Sequence, residues 1–209
     1  MEPIRLVLAS ASPARLQTLR DAGLQPVVVV SGVEESPVAG ETPTELVTRL
    51  ATLKAGAVVP QLDREPASPT TVVIGCDSVL ELDGRAYGKP ETSEAAVERW
   101  RRMRGRSGVL RTGHHVVLIR GDEVHELTAA AATVVHFAEV SDAEVEAYVA
   151  TGEPLAVAGA FTVDGLGGPF VAGIEGDHHN VVGISLPLLR LMLSDLGLSW
   201  PELWGSAVG

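Results

Sequence analysis

Leu110-Arg-Thr-Gly-His-His-Val-Val-Leu-Ile119, a Gly121-Asp122 turn, and Glu123-Val-His-Glu-Leu-Thr-Ala-Ala-Ala-Ala-Thr-Val-Val-His-Phe137 together decide the fold. Two apolar, β-branched runs flank a short Gly-Asp connection, the pattern of an antiparallel hairpin. Parallel neighbours need a crossover connection of a dozen or more residues, so these two runs cannot be parallel strands. Helical signals surround the hairpin, and the combination predicts an α/β fold on a mixed, twisted sheet with flanking helices.

Upstream, Ile4 to Leu8 reads as a short buried strand and Pro26 to Val30 as a second. Between them Ser12 caps a short helix with Pro13 at its first position. Thr42-Pro-Thr-Glu45 is a capping box, opening a helix with Leu46, Leu50, Leu53 and Ala57 on one face and its end near Pro60. Gln61 to Thr70 reads as a surface loop. Thr71 to Ile74 and Val79 to Leu82 read as two strands, followed by an Asp83-Gly84 turn. Thr92 or Ser93 caps a helix running to Met103. Downstream, Ser141-Asp-Ala-Glu144 is a second capping box, and Gly152 closes its helix. A Gly-rich stretch from Gly159 to Gly176 precedes a last apolar helix over Leu186 to Leu196. No repeat divides the chain, which is expected to form a single domain over residues 1–209.

The chain is 209 residues long and 45% hydrophobic, enough for a sizeable core without disulfides. Its one cysteine, Cys76, allows no intrachain disulfide and suits a reducing interior. Met1 to Ser10 has too short an apolar run for a secretion signal, and no stretch approaches the roughly 20 apolar residues of a membrane span. A cytoplasmic location is expected, with no membrane partner. A net charge of -11 argues against nucleic acid as a partner.

The cations are lopsided: of sixteen, fourteen are Arg and only Lys54 and Lys89 are Lys. A compact ammonium differs from a planar guanidinium in shape and hydration, so the two lysines mark candidate places where Arg will not serve. On composition alone, chance survival of two surface lysines is an equal explanation.

Four local patterns carry chemistry. Ser10-Ala-Ser-Pro-Ala-Arg15 places two hydroxyls, a helix start and an arginine after the first strand, a setting that favours anions. A Ser-Pro helix start is also common without any ligand. Gly75-Cys-Asp-Ser78 puts Asp77 just after a buried run, where a carboxylate can hold a cation, take a proton from water, or cap a turn. Gly88-Lys-Pro90 mounts Lys89 on a stiff base and reads as a phosphate clamp or an exposed turn. Glu34-Glu35 can join a metal site, though most such pairs are solvated. None of the six histidines has the spacing of a zinc helix motif.

In order, these segments resemble the Maf (septum-formation) family of nucleoside triphosphate pyrophosphatases. The resemblance is carried by Leu8-Ala-Ser-Ala-Ser-Pro-Ala-Arg15, Val33-Glu-Glu35, Arg49-Leu-Ala-Thr-Leu-Lys-Ala55, Gly75-Cys-Asp-Ser-Val79 and Gly88-Lys-Pro90. It continues through Thr112-Gly113, Gly152-Glu-Pro154, Ala158-Gly-Ala-Phe161, Ile174-Glu-Gly-Asp177 and Asn180-Val-Val-Gly183. It implies two lobes around a deep cleft, similar to inosine triphosphate pyrophosphatases. It also implies cleavage between the α- and β-phosphates with Mg²⁺ or Mn²⁺, and a homodimer. The implied substrates are non-standard or modified nucleotides.

Carried over position by position, Asp77 matches the proton acceptor and, with Glu35, the metal site. Ser10, Ser12, Arg15, Lys54 and Lys89 match the phosphate end. Ala14, Ser78 and Asp164 fall where the base is read. There the chain departs from the family. The branch acting on thymidine and uridine triphosphates resembles Ser-Pro-Arg-Arg, Asp-Thr and Ile-Gln-Gly; this chain has Ser12-Pro-Ala-Arg15, Asp77-Ser78 and Val163-Asp-Gly165. The 7-methylguanosine triphosphate branch carries Trp at the position of Ala14 and an acidic residue at that of Asp164. Neither signature is met. The rival expectation is a non-catalytic nucleotide-binding regulator of cell division.

Overall fold

The computed structural model describes residues 4–62 and 70–204. The expectations for Met1 to Ser10 and for the Gln61 to Thr70 loop therefore lie partly outside the described residues. One seven-stranded sheet organises the chain. Its strands are β1 (Arg5–Leu8), β2 (Val27–Val28), β3 (Thr71–Leu82), β4 (Arg85–Tyr87), β5 (Ser107–Arg120), β6 (Glu123–Phe137) and β7 (Val171–Glu175). Their order is β2-β1-β3-β5-β6-β7, with β4 also pairing β3. β1 runs parallel to β2 and β3, and every other pairing is antiparallel. The sheet is mixed, and the β5–β6 hairpin closes at Arg120↔Glu123.

The helices begin where their caps stand. Ser12 accepts the Arg15 N–H to start α1 (Pro13–Asp21). Complete capping boxes start α2 (Pro43–Val58) from Thr42 and α4 (Asp142–Ala150) from Ser141. Thr92, not Ser93, caps α3 (Ser93–Met103). Such a cap is worth about 1 kcal/mol. A five-residue α5 (His178–Val182) and the apolar α6 (Leu186–Asp195) complete the set.

Sequence and structure part at one place that matters. Thr71 to Ile74 and Val79 to Leu82 are one continuous strand, β3, and Asp77 lies within it rather than after its end. The cause is long-range pairing. β5 matches β3 from Thr71↔Ile119 to Glu81↔Val109, and this ladder carries Gly75 to Ser78 through in extended form. The predicted Asp83-Gly84 turn forms, both residues having positive φ (53° and 72°), and folds β4 back on β3. β4, β7 and α5 are too short or too Gly-rich to show a period.

Side chains alternate across β3 and sort the core. On one face Val72, Ile74 and Cys76 join a cluster with Leu19, Leu189 and Leu193. Farther along the same face Leu80 and Leu82 join a second cluster built on Trp100. Trp100 is fully buried, meets Phe137, Tyr148 and Phe170 edge-on, and donates Nε1–H to the Ala160 carbonyl at 2.7 Å. On the opposite face Val73 packs with Ala55 and Val58 of α2, and Val79 with Val47 and Leu50. Both faces are thus apolar at each half of β3. The residues between the halves are Asp77 on the α2 face and Ser78 on the other.

Candidate active site

β1 and β4 share one edge of β3, because β5 occupies the other edge. β1 reaches Ile74 and β4 begins at Leu80, so Gly75 to Val79 have no strand beside them on that edge. The interruption lies past the carboxyl end of β1, where α/β sheets commonly bind ligands. Side chains from both faces can meet there.

On the α2 face, two glycines set the geometry. A Cβ on Gly75 would stand 2.2 Å from the Ala51 carbonyl oxygen, and one on Gly113 would stand 2.1 Å from that of Val47. Gly113 is the cross-strand partner of Asp77. With no side chains between, the backbone of α2 lies directly on the sheet. Lys54 of α2 thereby meets Asp77, with Nζ 2.6 Å from Oδ1 and both residues buried. Glu35 reaches the same ammonium, Oε1 to Nζ being 2.7 Å. Glu35 is the exposed member, its side chain 56% accessible. Lys54 so directs two of its three N–H bonds to carboxylates. Among the described residues, Oδ2 of Asp77 accepts no hydrogen bond.

On the other face Arg15 is buried and donates four times. Nε gives to the Gly183 carbonyl at 2.7 Å, and Nη1 to Ser10 Oγ at 3.1 Å and the Cys76 carbonyl at 3.0 Å. Nη2 gives to Ser78 Oγ at 2.9 Å. The Cys76 carbonyl belongs to the strand-free edge of β3, so Arg15 supplies the donor a neighbouring strand would have supplied. All four acceptors are neutral, and no carboxylate pairs with Arg15 among the described residues. Its charge is left to act on whatever enters the gap.

Ser10 Oγ accepts from both Arg15 and the Ser12 N–H (3.2 Å), which leaves its own proton unspent. Ser12 serves as helix cap. Ser78 Oγ lies 2.9 Å from Thr112 Oγ1, and Thr112 in turn donates to the Asn180 carbonyl. Asn180 is fully buried and donates to the Leu110 carbonyl and to Thr133 Oγ1. His114 lies 3.1 Å from the Thr112 carbonyl through Nδ1, and its Nε2 accepts the Ser185 N–H at 2.8 Å. That makes Nδ1 the protonated nitrogen. Burial, seconded by the Arg15 guanidinium, pushes the imidazole down to about 4, so it is neutral at pH 7. Burial pushes the Cys76 thiol up to about 11, which removes it as a nucleophile.

Lys89 stands apart from this cluster. It is exposed, in the turn between β4 and α3, and pairs with no group among the described residues. Ala14 and Asp164 line one cavity of about 330 Å³, together with Gln17, Thr18, Asp21, His178 and His179. Ser78 is not part of that cavity and instead holds Arg15. A larger cavity of about 650 Å³ runs along α2 past Glu41, Arg49 and Leu53, and holds none of the predicted site residues. No local pattern in the sequence assigns Thr112 and Asn180 their place in this network, and His114 is the buried structural histidine of the set. Thr112 and His114 lie side by side between Leu110 and Val116 on one face of β5, and two polar residues on an otherwise apolar face are the signal the sequence offers.

Glu35 and Asp77 are hard oxygen donors converging on one point, 2.7 and 2.6 Å from the same ammonium. Among the described residues no group of three or more His, Cys, Asp or Glu could form an all-protein cage. Mg²⁺ commonly needs only one or two carboxylates, with water and substrate phosphate completing its shell. The donor set therefore fits a cation that a phosphorylated substrate helps to bind.

A mixed α/β sheet with buried cations and a carboxylate at an interrupted strand edge defines a protein equipped to handle phosphate anions. The chain belongs to the Maf-like protein family, whose model matches residues 5–196. It is 59% identical over 202 residues to a protein of Salinispora tropica, covering 97% of this chain and 88% of that one. It is 55% identical over 205 residues to one of Cutibacterium acnes, covering 97% and 96%. A Streptomyces coelicolor protein is 55% identical over 203 residues, covering 97% and 96%. Each of these relatives is named nucleoside triphosphate pyrophosphatase. No helix among the described residues is long and apolar enough to cross a membrane.

Proposed function

We propose that this chain hydrolyses a nucleoside triphosphate between its α- and β-phosphates, releasing a nucleoside monophosphate and pyrophosphate, and does so on non-standard or modified nucleotides. The observation that carries the reading is the buried Lys54–Asp77 pair at the interrupted edge of β3. The relatives' shared name supports the same reaction. We read the chain as a single domain, because the candidate residues sit on one sheet and on the helices and loops connected to it.

In this reading the triphosphate lies at the gap, with its base toward the cavity of Ala14 and Asp164. Asp77 acts as the base. Lys54 holds Oδ1, so Oδ2 is the oxygen left to orient water and accept its proton. The water oxygen bonds to the α-phosphorus as the bond to the α–β bridging oxygen breaks, and that electron pair leaves on pyrophosphate. The third N–H of Lys54, the free Ser10 hydroxyl proton and the Arg15 charge stabilise negative charge on the phosphates. Lys89 reaches the leaving pyrophosphate from its turn. Glu35 and Asp77 would hold Mg²⁺ or Mn²⁺, which supplies charge neutralisation on the phosphate oxygens when bound.

Pyrophosphate release is the test, measured with Mg²⁺ over normal, methylated and deaminated nucleoside triphosphates. The reading expects stoichiometric monophosphate and pyrophosphate from at least one of them. Release of orthophosphate instead, or nucleotide binding without turnover across the panel, contradicts it.

A further inference from the structure

We propose that Arg99 is a positioning residue that fixes Lys89 for the triphosphate by clamping the carbonyl of Gly88. This rests on the reading of Lys89 as a phosphate ligand.

The Gly88 carbonyl receives two donors at once. Arg99 Nη1 donates to it at 2.6 Å, and the Gly159 N–H donates to it with N···O 3.0 Å. Gly159 is itself pinned, since a Cβ there would stand 2.8 Å from the Leu80 Cβ on β3. Leu80 is paired with Tyr87 at the start of the same turn. The peptide before Lys89 is thus tied to the core strand that carries Asp77, three residues away along it.

Arg99 is an unusual tenant. Its neighbours Arg102, Arg104 and Arg106 all pair with carboxylates. Arg99 makes no ion pair among the described residues, in a chain of net charge -11. Its guanidinium lies 5.0 Å from the Tyr87 ring centroid, and its Nε is buried without an acceptor. A partly buried cation with an orphaned N–H is unfavourable unless its position serves a purpose. The bond it does make is the one that holds the Lys89 turn. Stacked on Tyr87, the fork has little freedom, so the donor to Gly88 arrives preset.

A double-mutant cycle on the full-length enzyme tests this, using kcat/KM for pyrophosphate release from its best nucleotide. Lys89→Ala is expected to lower kcat/KM about 100-fold and Arg99→Met about 10-fold. In the Lys89→Ala background, Arg99→Met should cost nothing more, because a residue acting through Lys89 has nothing left to position. Arg99→Lys keeps a donor for Gly88 but loses the stacked fork, and should recover only part of the loss. A melting-temperature shift caused by Arg99→Met should be equal in both backgrounds and separates folding from positioning. Equal losses of kcat/KM in the two backgrounds, or no loss from Arg99→Met while Lys89→Ala is impaired, overturns the proposal. A fully active Lys89→Ala enzyme instead removes the reading of Lys89, and the proposal goes with it.

Discussion

Gly113 lies so close to Val47 that a Cβ on it would stand 2.1 Å from the Val47 carbonyl oxygen. Backbone cannot yield there as a flexible side chain would. Gly113→Ala should lift α2 from the sheet and cost about 1–3 kcal/mol of stability, as overpacking does. Because Lys54 rides on α2, turnover should fall together with stability. Urea unfolding and pyrophosphate release on the same preparation check both; a variant of wild-type stability contradicts the close packing.

The Lys54–Asp77 pair predicts a separation of stability from activity. Lys54→Met strands Asp77 in the core, and breaking a buried pair from one side costs about 3–5 kcal/mol. Lys54→Met combined with Asp77→Asn removes both charges. It should be more stable than Lys54→Met alone, yet inactive. Denaturant midpoints of the two variants measure this, and a double variant no more stable than the single one speaks against a buried ion pair.

Arg15→Lys keeps the charge and loses the fork. An ammonium cannot reach Ser10, Ser78, Cys76 and Gly183 in the planar arrangement Arg15 uses. With several hydrogen bonds of about 1 kcal/mol each lost, kcat/KM should fall by roughly 10-fold or more. Steady-state kinetics decide, and an unimpaired Arg15→Lys enzyme means that charge alone suffices.

His114 links stability to pH. Its imidazole is pushed from 6.5 to about 4 in the fold, chiefly by burial, so the unfolded chain binds the proton more readily. The neutral form's stabilisation is complete above pH 6.5 and is lost as pH falls toward 4, by about 3 kcal/mol in all. His115, also lowered chiefly by burial, acts in the same direction. His114→Gln should flatten the stability profile between pH 6.5 and 4. A slope identical to that of the wild type would falsify the assignment.

Local chemistry makes much of the fold legible in the sequence. Both capping boxes open the helices they announce, and the Gly121-Asp122 turn joins the strands it announces. The failures share one cause. Gly75-Cys-Asp-Ser78 looks like a break, and only pairing with β5, more than thirty residues away, holds it extended. Asp77 and Lys54 stand out as candidates because residue scarcity and local motif coincide there, and the structure brings them together. The relation between Arg15 and Ser78, sixty-three positions apart, is not legible, since no local pattern encodes which strand lacks a neighbour.

In the proposed reaction the buried Asp77 carboxylate, held by Lys54, activates the water that cleaves the triphosphate. The most direct measurement is the single-turnover rate of pyrophosphate release by Asp77→Asn, with folding checked by circular dichroism and nucleotide binding by calorimetry. The Asp77→Asn protein should fold, bind nucleotide and lose at least about 100-fold in rate, since a general base alone accounts for roughly 100- to 10,000-fold. A folded Asp77→Asn protein releasing pyrophosphate at the wild-type rate would contradict it.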